Sequence, residues 1–418
     1  MHTMTGSLLS PRRNPLPALA VAAAGCWILN FTAHADWLSY RGPSQTGVSL
    51  EKGLKLQFPA DGPKVLWKAN VGTGTSSVTV SGDRAYTMGN SGGKDRAVCF
   101  DVKTGRELWK NEYPLEVDKR MFEGGTAATP TIDGTRVYTV SHQGDLFCLD
   151  AATGQKVWYK HYQKDLGGRR PQWGFAGSPT IEENLLILDV GARGGSTVAL
   201  NKANGNVVWK SGDDEAGYAS PVAATIGGKR TVVMFKASDL VGLDVKDGSE
   251  LWRTKWKTNY DVNAATPLVV GERIFISSGY GAGCALIEIS GGRAVEKWRN
   301  RNLKAHINSP VFSKGLVYGI DDQANANAPL VCLDFATGQT KWSQRGIGGA
   351  LIAADGKLII LSELGELIIA DESPNGFRAT ARAQVLPKRC WVQPTLANGR
   401  LFCRNNDGQL VCLDLGAK

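Results

Sequence analysis

CLDAATGQKVW (148–158) is one copy of a frame that recurs along the chain. CFDVKTGRELW (99–109), ALNKANGNVVW (199–209), GLDVKDGSELW (242–252) and CLDFATGQTKW (332–342) repeat it, with Asp or Asn four residues before Gly and eight before Trp. ALIEISGGRAVEKW (285–298) keeps Gly four after Glu288 but inserts two residues before Trp298. A seventh copy is eroded: Ala370-Asp371 remains, Gly376 comes one place late, and Ala379 stands where Trp belongs. The eighth breaks off at CLDL (412–415). From Asp101 to Asp414 the eight anchors are spaced 49, 51, 43, 44, 46, 37 and 43 residues apart.

A period near 44 residues, filled by short Val/Ile/Thr/Tyr-rich alternating runs between Gly and Asp turns, is that of propeller blades and excludes helical solenoids. In ATPTIDGTRVYTVSHQGDLFCLDAATGQKVW (128–158), strands are expected after the Pro, over VYTVS, over DLFCLD and into the Trp, with turns at Asp133-Gly134, Gln143-Gly144 and Thr153-Gly154. The last copy lacks its TG turn and Trp, while GPKVLW (62–67) has a Trp and no CLD before it. Trp67 lies one period before Trp109, so the N-terminal strand is expected to complete the last blade and leave no open sheet edge. The expected fold is all-β: an eight-bladed β-propeller of four-stranded antiparallel blades over 62–418, behind a lead-in at 36–61.

The first 35 residues read as a signal peptide. Arg12 and Arg13 precede the mostly apolar 16–29, and Ala33-His34-Ala35 is an A-x-A cleavage site. Export to the periplasm or the exterior is expected, with a lipid anchor at Cys26 as the lesser alternative; no later segment is apolar enough to span a membrane. The formal charge is +9, and removal of the leader leaves 46 basic against 39 acidic groups. With no basic run and no nucleic-acid motif, that balance is a weakly basic surface and excludes a nucleic-acid partner. A monomer is expected.

The A/L-D-x-x-T-G-x-x-x-W frame, repeated round a ring, resembles the quinoprotein (pyrroloquinoline quinone) repeat of quinone-dependent alcohol dehydrogenases and of BamB-like outer-membrane assembly lipoproteins. DWLSYRGPSQTGVS (36–49) also resembles the lead-in of secreted quinoprotein-like propellers common in planctomycetes. The dehydrogenase resemblance implies pyrroloquinoline quinone with Ca²⁺, an adjacent-cysteine disulfide and an Asp base. This chain has no Cys-Cys pair and is shorter than those enzymes, so a non-catalytic binding or scaffold role in the envelope is the expected function. A quinone-dependent oxidoreductase and a carbohydrate-binding propeller are the alternatives, and no catalytic residue or metal ligand is assigned.

Loops entering the innermost strands share one channel mouth. They bring Glu123, Arg169, Arg170, Trp173, Tyr218, Asn263, His306, Asn308, Arg389 and Trp391 toward a rim where an envelope protein or a small ligand is expected to bind. Cys99, Cys148, Cys332 and Cys412 share one repeat position and read as small buried hydrophobes. A two-residue turn at Asp407-Gly408 would set Cys403 opposite Cys412, with Cα atoms about 4.5–5.5 Å apart. A disulfide is expected there in an exported chain.

Overall fold

A computed structural model describes residues 1–4, 6, 35–59, 61–120, 122–321 and 326–416. The expected signal segment and Cys26 lie almost wholly outside these residues. Eight four-stranded antiparallel sheets form the ring of an eight-bladed β-propeller. Blades 1 to 7 begin at the inner strands Thr79–Ser81, Thr131–Asp133, Thr180–Glu182, Val222–Ile226, Leu268–Val270, Val311–Ser313 and Ala350–Ala354. Blade 8 is built from both ends of the chain. Thr395–Ala397, Arg400–Arg404 and Gln409–Asp414 supply its inner strands, and Val65–Asn70 closes it antiparallel to Gln409–Asp414, with Trp67 opposite Cys412.

The Trp and Gly of the repeat are two halves of one joint. At five of the joints the Trp of one blade lies over the turn glycine of the next: Trp67 over Gly105, Trp109 over Gly154, Trp158 over Gly205, Trp209 over Gly248 and Trp298 over Gly338. A Cβ on Gly105 would stand 2.6 Å from the Trp67 ring, and its φ of +70° is one that L side chains rarely adopt. The indole N–H donates to the carbonyl three residues before that glycine, as Trp109 does to Ala151 at 3.0 Å and Trp209 to Val245 at 3.0 Å. Trp252 is the exception. It faces the lengthened Glu288 copy, and its buried Nε1 has no hydrogen-bond partner.

Within a blade the Trp pairs with the repeat's small residue, which pairs in turn with the second strand. Tyr86–Cys99–Trp109, Tyr138–Cys148–Trp158 and Tyr318–Cys332–Trp342 are such rows. Phe402–Cys412–Trp67 is another. Thr/Ser residues ahead of the inner strands join the blades at the axis: Thr129 N–H donates to Ser178 Oγ, Ser178 N–H to Ser220 Oγ, and Thr266 N–H to Ser309 Oγ.

The four repeat cysteines are fully buried, and burial raises the thiols of Cys99, Cys332 and Cys412 to about 12 and that of Cys148 to about 11. The expected Cys403–Cys412 disulfide is corrected. The hairpin loop is three residues, Asn406 to Gly408, with Asn405 N–H donating to Gln409 O, so Cys403 pairs with Val411, and Cys412 with Phe402. That one-residue shift puts the two side chains on opposite faces of the sheet, and both are free thiols.

Candidate functional site

Strands alternate in direction, so loops entering the inner strands share one face of the ring with the hairpins between second and third strands. This is the mouth face; the D-x-x-T-G turns lie on the other, the turn face. The axis between them is closed by the lead-in. Trp37 exchanges two 2.9 Å backbone hydrogen bonds with Val80 of blade 1, and Leu38 O accepts from Ile132 of blade 2. Gln45 Nε2 donates to Thr180 Oγ1 of blade 3 and to Pro221 O at the start of blade 4. Val48–Ser49 adds a parallel strand to Ala353–Ala354 of blade 7.

Arg41 organises this segment. It is buried, its Nε donates to Gln45 O, and its Nη2 donates to Thr46 O and to Pro310 O beside blade 6. Burial lowers its guanidinium to about 10. Gly42, at φ +77°, lies against the Trp37 ring, so the W-x-x-x-R-G spacing is that of a plug folded on its own side chains.

Between plug and mouth lies a cavity of about 80 Å³, lined by Tyr40 of the lead-in, by hydroxyls such as Ser178 and Thr266, and by Tyr218, Asn308 and Trp391. Pockets for drug-sized ligands run to about 300–1,000 Å³. The axis therefore has no room for the tricyclic quinone implied by the quinoprotein resemblance. Among the described residues no group of three or more His, Cys, Asp or Glu side chains could hold a metal ion. The residues present do not fit the quinone–calcium pair.

The ten mouth residues divide among separate clusters. Arg389 bonds Glu123 at 2.5 Å and lies over the Phe122 and Trp391 rings, while Glu123 also accepts from Asn406. Glu363 is 3.7 Å from Arg389; burial raises its carboxyl, and Trp391 and Arg389 oppose that rise. Arg170 bonds Asp118 at 2.8 Å, and Arg120 followed by burial and Arg170 governs the carboxyl, which is held well below the usual range. Arg169 donates to the carbonyls of Gly191, Asp213 and Asp214. Trp173 N–H donates to Tyr218 Oη.

Arg169, Arg170 and Tyr218, with Tyr260 and Asp261, line a cleft of about 270 Å³. His306 stacks edge-on against Tyr280, which stacks against Tyr260. Asn308 Nδ2 donates to Gly349 O. Asn263 is a scaffold residue: fully buried, it donates to the carbonyls of Lys236, Ala237 and Trp256 and accepts from Ser278.

Attention to the loops alone misses the hairpins of the same face. Tyr280, Glu363 and Leu364 sit there, and the sequence signal was the short SGYGAG and SELGE turns between strand runs. Phe122 and Tyr260 lie in the loops themselves. Phe122, Tyr260, Tyr280 and Leu364 are exposed by 66, 65, 38 and 64%. The three aromatics hold left-handed backbone, φ +43°, +63° and +52°, which non-glycine residues adopt at a cost.

The architecture and the repeat define an eight-bladed propeller of quinoprotein type with a sealed axis. A family profile described as outer membrane protein assembly factor BamB matches residues 57–164 and 116–344, and the chain belongs to that family. Among solved structures it is similar to BamB from Moraxella catarrhalis, at 17% identity over 84% of this chain and 100% of that one, TM-score 0.63. It is also similar to the quinohemoprotein alcohol dehydrogenase from Comamonas testosteroni, at 13% identity over 92% and 81%, TM-score 0.68. At such identities these likenesses establish the fold alone. No curated protein matches the chain. Among the described residues no helix is long and apolar enough to cross a membrane.

Proposed function

We propose that the chain is a non-catalytic binding propeller of the cell envelope, exported with cleavage after Ala35, that docks a protein partner across its mouth face. One observation carries this reading: the exposed Phe122, Tyr260, Tyr280 and Leu364 share that face, three of them on strained backbone. Exposed aromatics beside charged residues are what partner surfaces use as anchors. The sealed axis supports the same reading, because it leaves no chamber for a cofactor. The assembly role in the family's description agrees with a protein partner.

Site-specific photo-crosslinking in the source cells tests this. A photoreactive residue at Phe122 or Tyr260 is expected to give a discrete adduct that the same residue at Val157, on an outer strand, does not give. Equal adducts at all three positions, or none at the mouth, would remove the proposal.

A further inference from the structure

The chain contains three Asn-Gly pairs, Asn204-Gly205, Asn375-Gly376 and Asn398-Gly399. In such a pair the glycine nitrogen can close on the asparagine side-chain carbon, because glycine puts no side chain in the way. The reaction needs that nitrogen free of its hydrogen bond and the backbone free to turn. The fold meets these conditions at one pair and denies them at two.

Gly205 N–H donates to Asn201 O at 2.8 Å, and the Trp158 ring lies over the glycine. Asn204 Oδ1 is engaged as well, accepting from Asn206 N–H at 3.0 Å. Gly399 N–H donates to the Glu51 carboxylate at 2.6 Å, and Asn398 Oδ1 accepts from Ala35 N–H at 2.7 Å. At both pairs the attacking nitrogen and the side chain it would attack are held apart by separate partners.

The third pair falls in the eroded seventh copy of the repeat, where Asp371-Glu372-Ser373-Pro374-Asn375-Gly376 replaces the D-x-x-T-G turn. In an intact turn the glycine is fixed twice: Gly154 N–H donates to Asp150 O at 2.8 Å, and the Trp109 ring covers it. The extra residue of blade 7 removes both restraints. Trp342 Nε1 still donates to Ser373 O at 2.7 Å, but nothing stands within 4 Å of a Cβ on Gly376. Asn375 is exposed, and its main-chain N–H donates to Ser373 Oγ at 3.1 Å. Neither its side-chain amide nor the Gly376 N–H has a hydrogen-bond partner among the described residues.

We propose that Asn375 is a site of spontaneous covalent modification, deamidating through a succinimide, and that the fold protects Asn204 and Asn398. Gly376 N attacks Asn375 Cγ; the new N–Cγ bond forms, the Cγ–Nδ2 bond breaks, and Nδ2 leaves as ammonia with the proton from Gly376 N. Water then opens the ring at either carbonyl, giving aspartate or isoaspartate. Nothing is oxidised or reduced, and water is the one co-reactant. Both products place a new carboxylate in the turn that already carries Asp371 and Glu372. The isoaspartate also lengthens the main chain of that turn by one carbon, beside the carbonyl that holds Trp342. The site is on the turn face, so it stands or falls independently of the docking surface proposed at the mouth.

The test incubates the full chain in weakly alkaline buffer, folded in one arm and unfolded in guanidinium chloride in the other. Peptide mapping by mass spectrometry then follows aspartate and isoaspartate at all three positions. In the folded chain Asn375 is expected to convert at least about tenfold faster than Asn204 or Asn398, the factor that one retained hydrogen bond supplies. Unfolding is expected to bring the three rates together. Asn375→Gln is expected to abolish the product at that position, because the larger ring closes far more slowly. The proposal is overturned if Asn375 converts no faster than the other two in the folded chain. It is also overturned if the same ranking persists in guanidinium, which would assign the selectivity to sequence rather than to the fold.

Discussion

At the scale of single residues, the joint between blades rests on a glycine that is needed twice, once for its backbone and once for its missing side chain. Gly154 and Gly134 both hold left-handed backbone, at φ +71° and +54°, but only Gly154 lies under a tryptophan; nothing stands within 4 Å of a Cβ on Gly134. Substitution by Ala strains both backbones alike and forces the Trp109 ring away at Gly154 only. Gly154→Ala is therefore expected to cost about 1–3 kcal/mol more than Gly134→Ala, read from urea denaturation midpoints at a common slope. Buried arginines are a second residue-scale device. Arg404 donates to the carbonyls of Ser76, Met88 and Gly72, tying blade 8 to blade 1, and burial lowers its guanidinium to about 9.

At the scale of elements, the Gln143-Gly144 hairpin of blade 2 and the 169–175 loop behave as one unit. His142 O accepts from Phe175 N–H and from Arg170 Nε, and Gly174 packs on the His142 Cβ. The imidazole is fully buried, and neither ring nitrogen has a hydrogen-bond partner. Burial lowers its pKa first and Arg170 adds to that, while Asp118 and Asp145 pull the other way. The fold thus favours the neutral ring. Its contribution is complete above the ordinary histidine value of about 6.5 and is lost as pH falls toward the lower folded value. Stability is expected to decline from pH 7 to pH 5, with faster amide exchange over 169–175, and His142→Phe is expected to flatten both; an unchanged slope in the variant would contradict this.

The same scale shows how far the sequence could be read. Strand order, the turns and the closing role of Trp67 follow from the Asp–Gly–Trp spacing, because each is a local pattern repeated many times. The Cys403 register does not follow, because a three-residue loop and a two-residue turn differ by one residue and the Asp407-Gly408 pair is present in both. The hydroxyl belt was visible as Ser or Thr before Pro in ATP, GSP, ASP and NSP, yet its purpose needs the neighbouring blade. Among the ten mouth residues, Asn263 has all of its amide committed to the scaffold. Its type and loop position match those of Asn308, which is buried as well.

At the scale of the whole molecule, the lead-in is part of the ring. Its partners are spread over blades 1, 2, 3, 4, 6, 7 and 8, which is why no local pattern could place it. Farther along, Leu54, Leu56 and Phe58 join the core that contains Leu415 and Ala381, the residue paired with Ile369 at the register position that Trp holds in other blades. Removing residues 36–61 is expected to lower Tm and to speed amide exchange in the inner strands of blades 1 and 7 more than in blade 5, to which none of the hydrogen bonds described above runs. Uniform exchange across the ring would show the plug to be dispensable to local order.

Blade 8 draws its fourth strand from the first residues of the propeller and its other three from the last. During synthesis, Val65–Asn70 emerges early and waits for Gln409–Asp414, which is made only after the other seven blades. A chain cut short by even a dozen residues keeps seven complete blades but leaves Val65–Asn70 unmatched, an open edge that a protease or chaperone can recognise. The circular connection thus works as a proofreading step: the ring locks only around a chain translated through Gln409–Asp414.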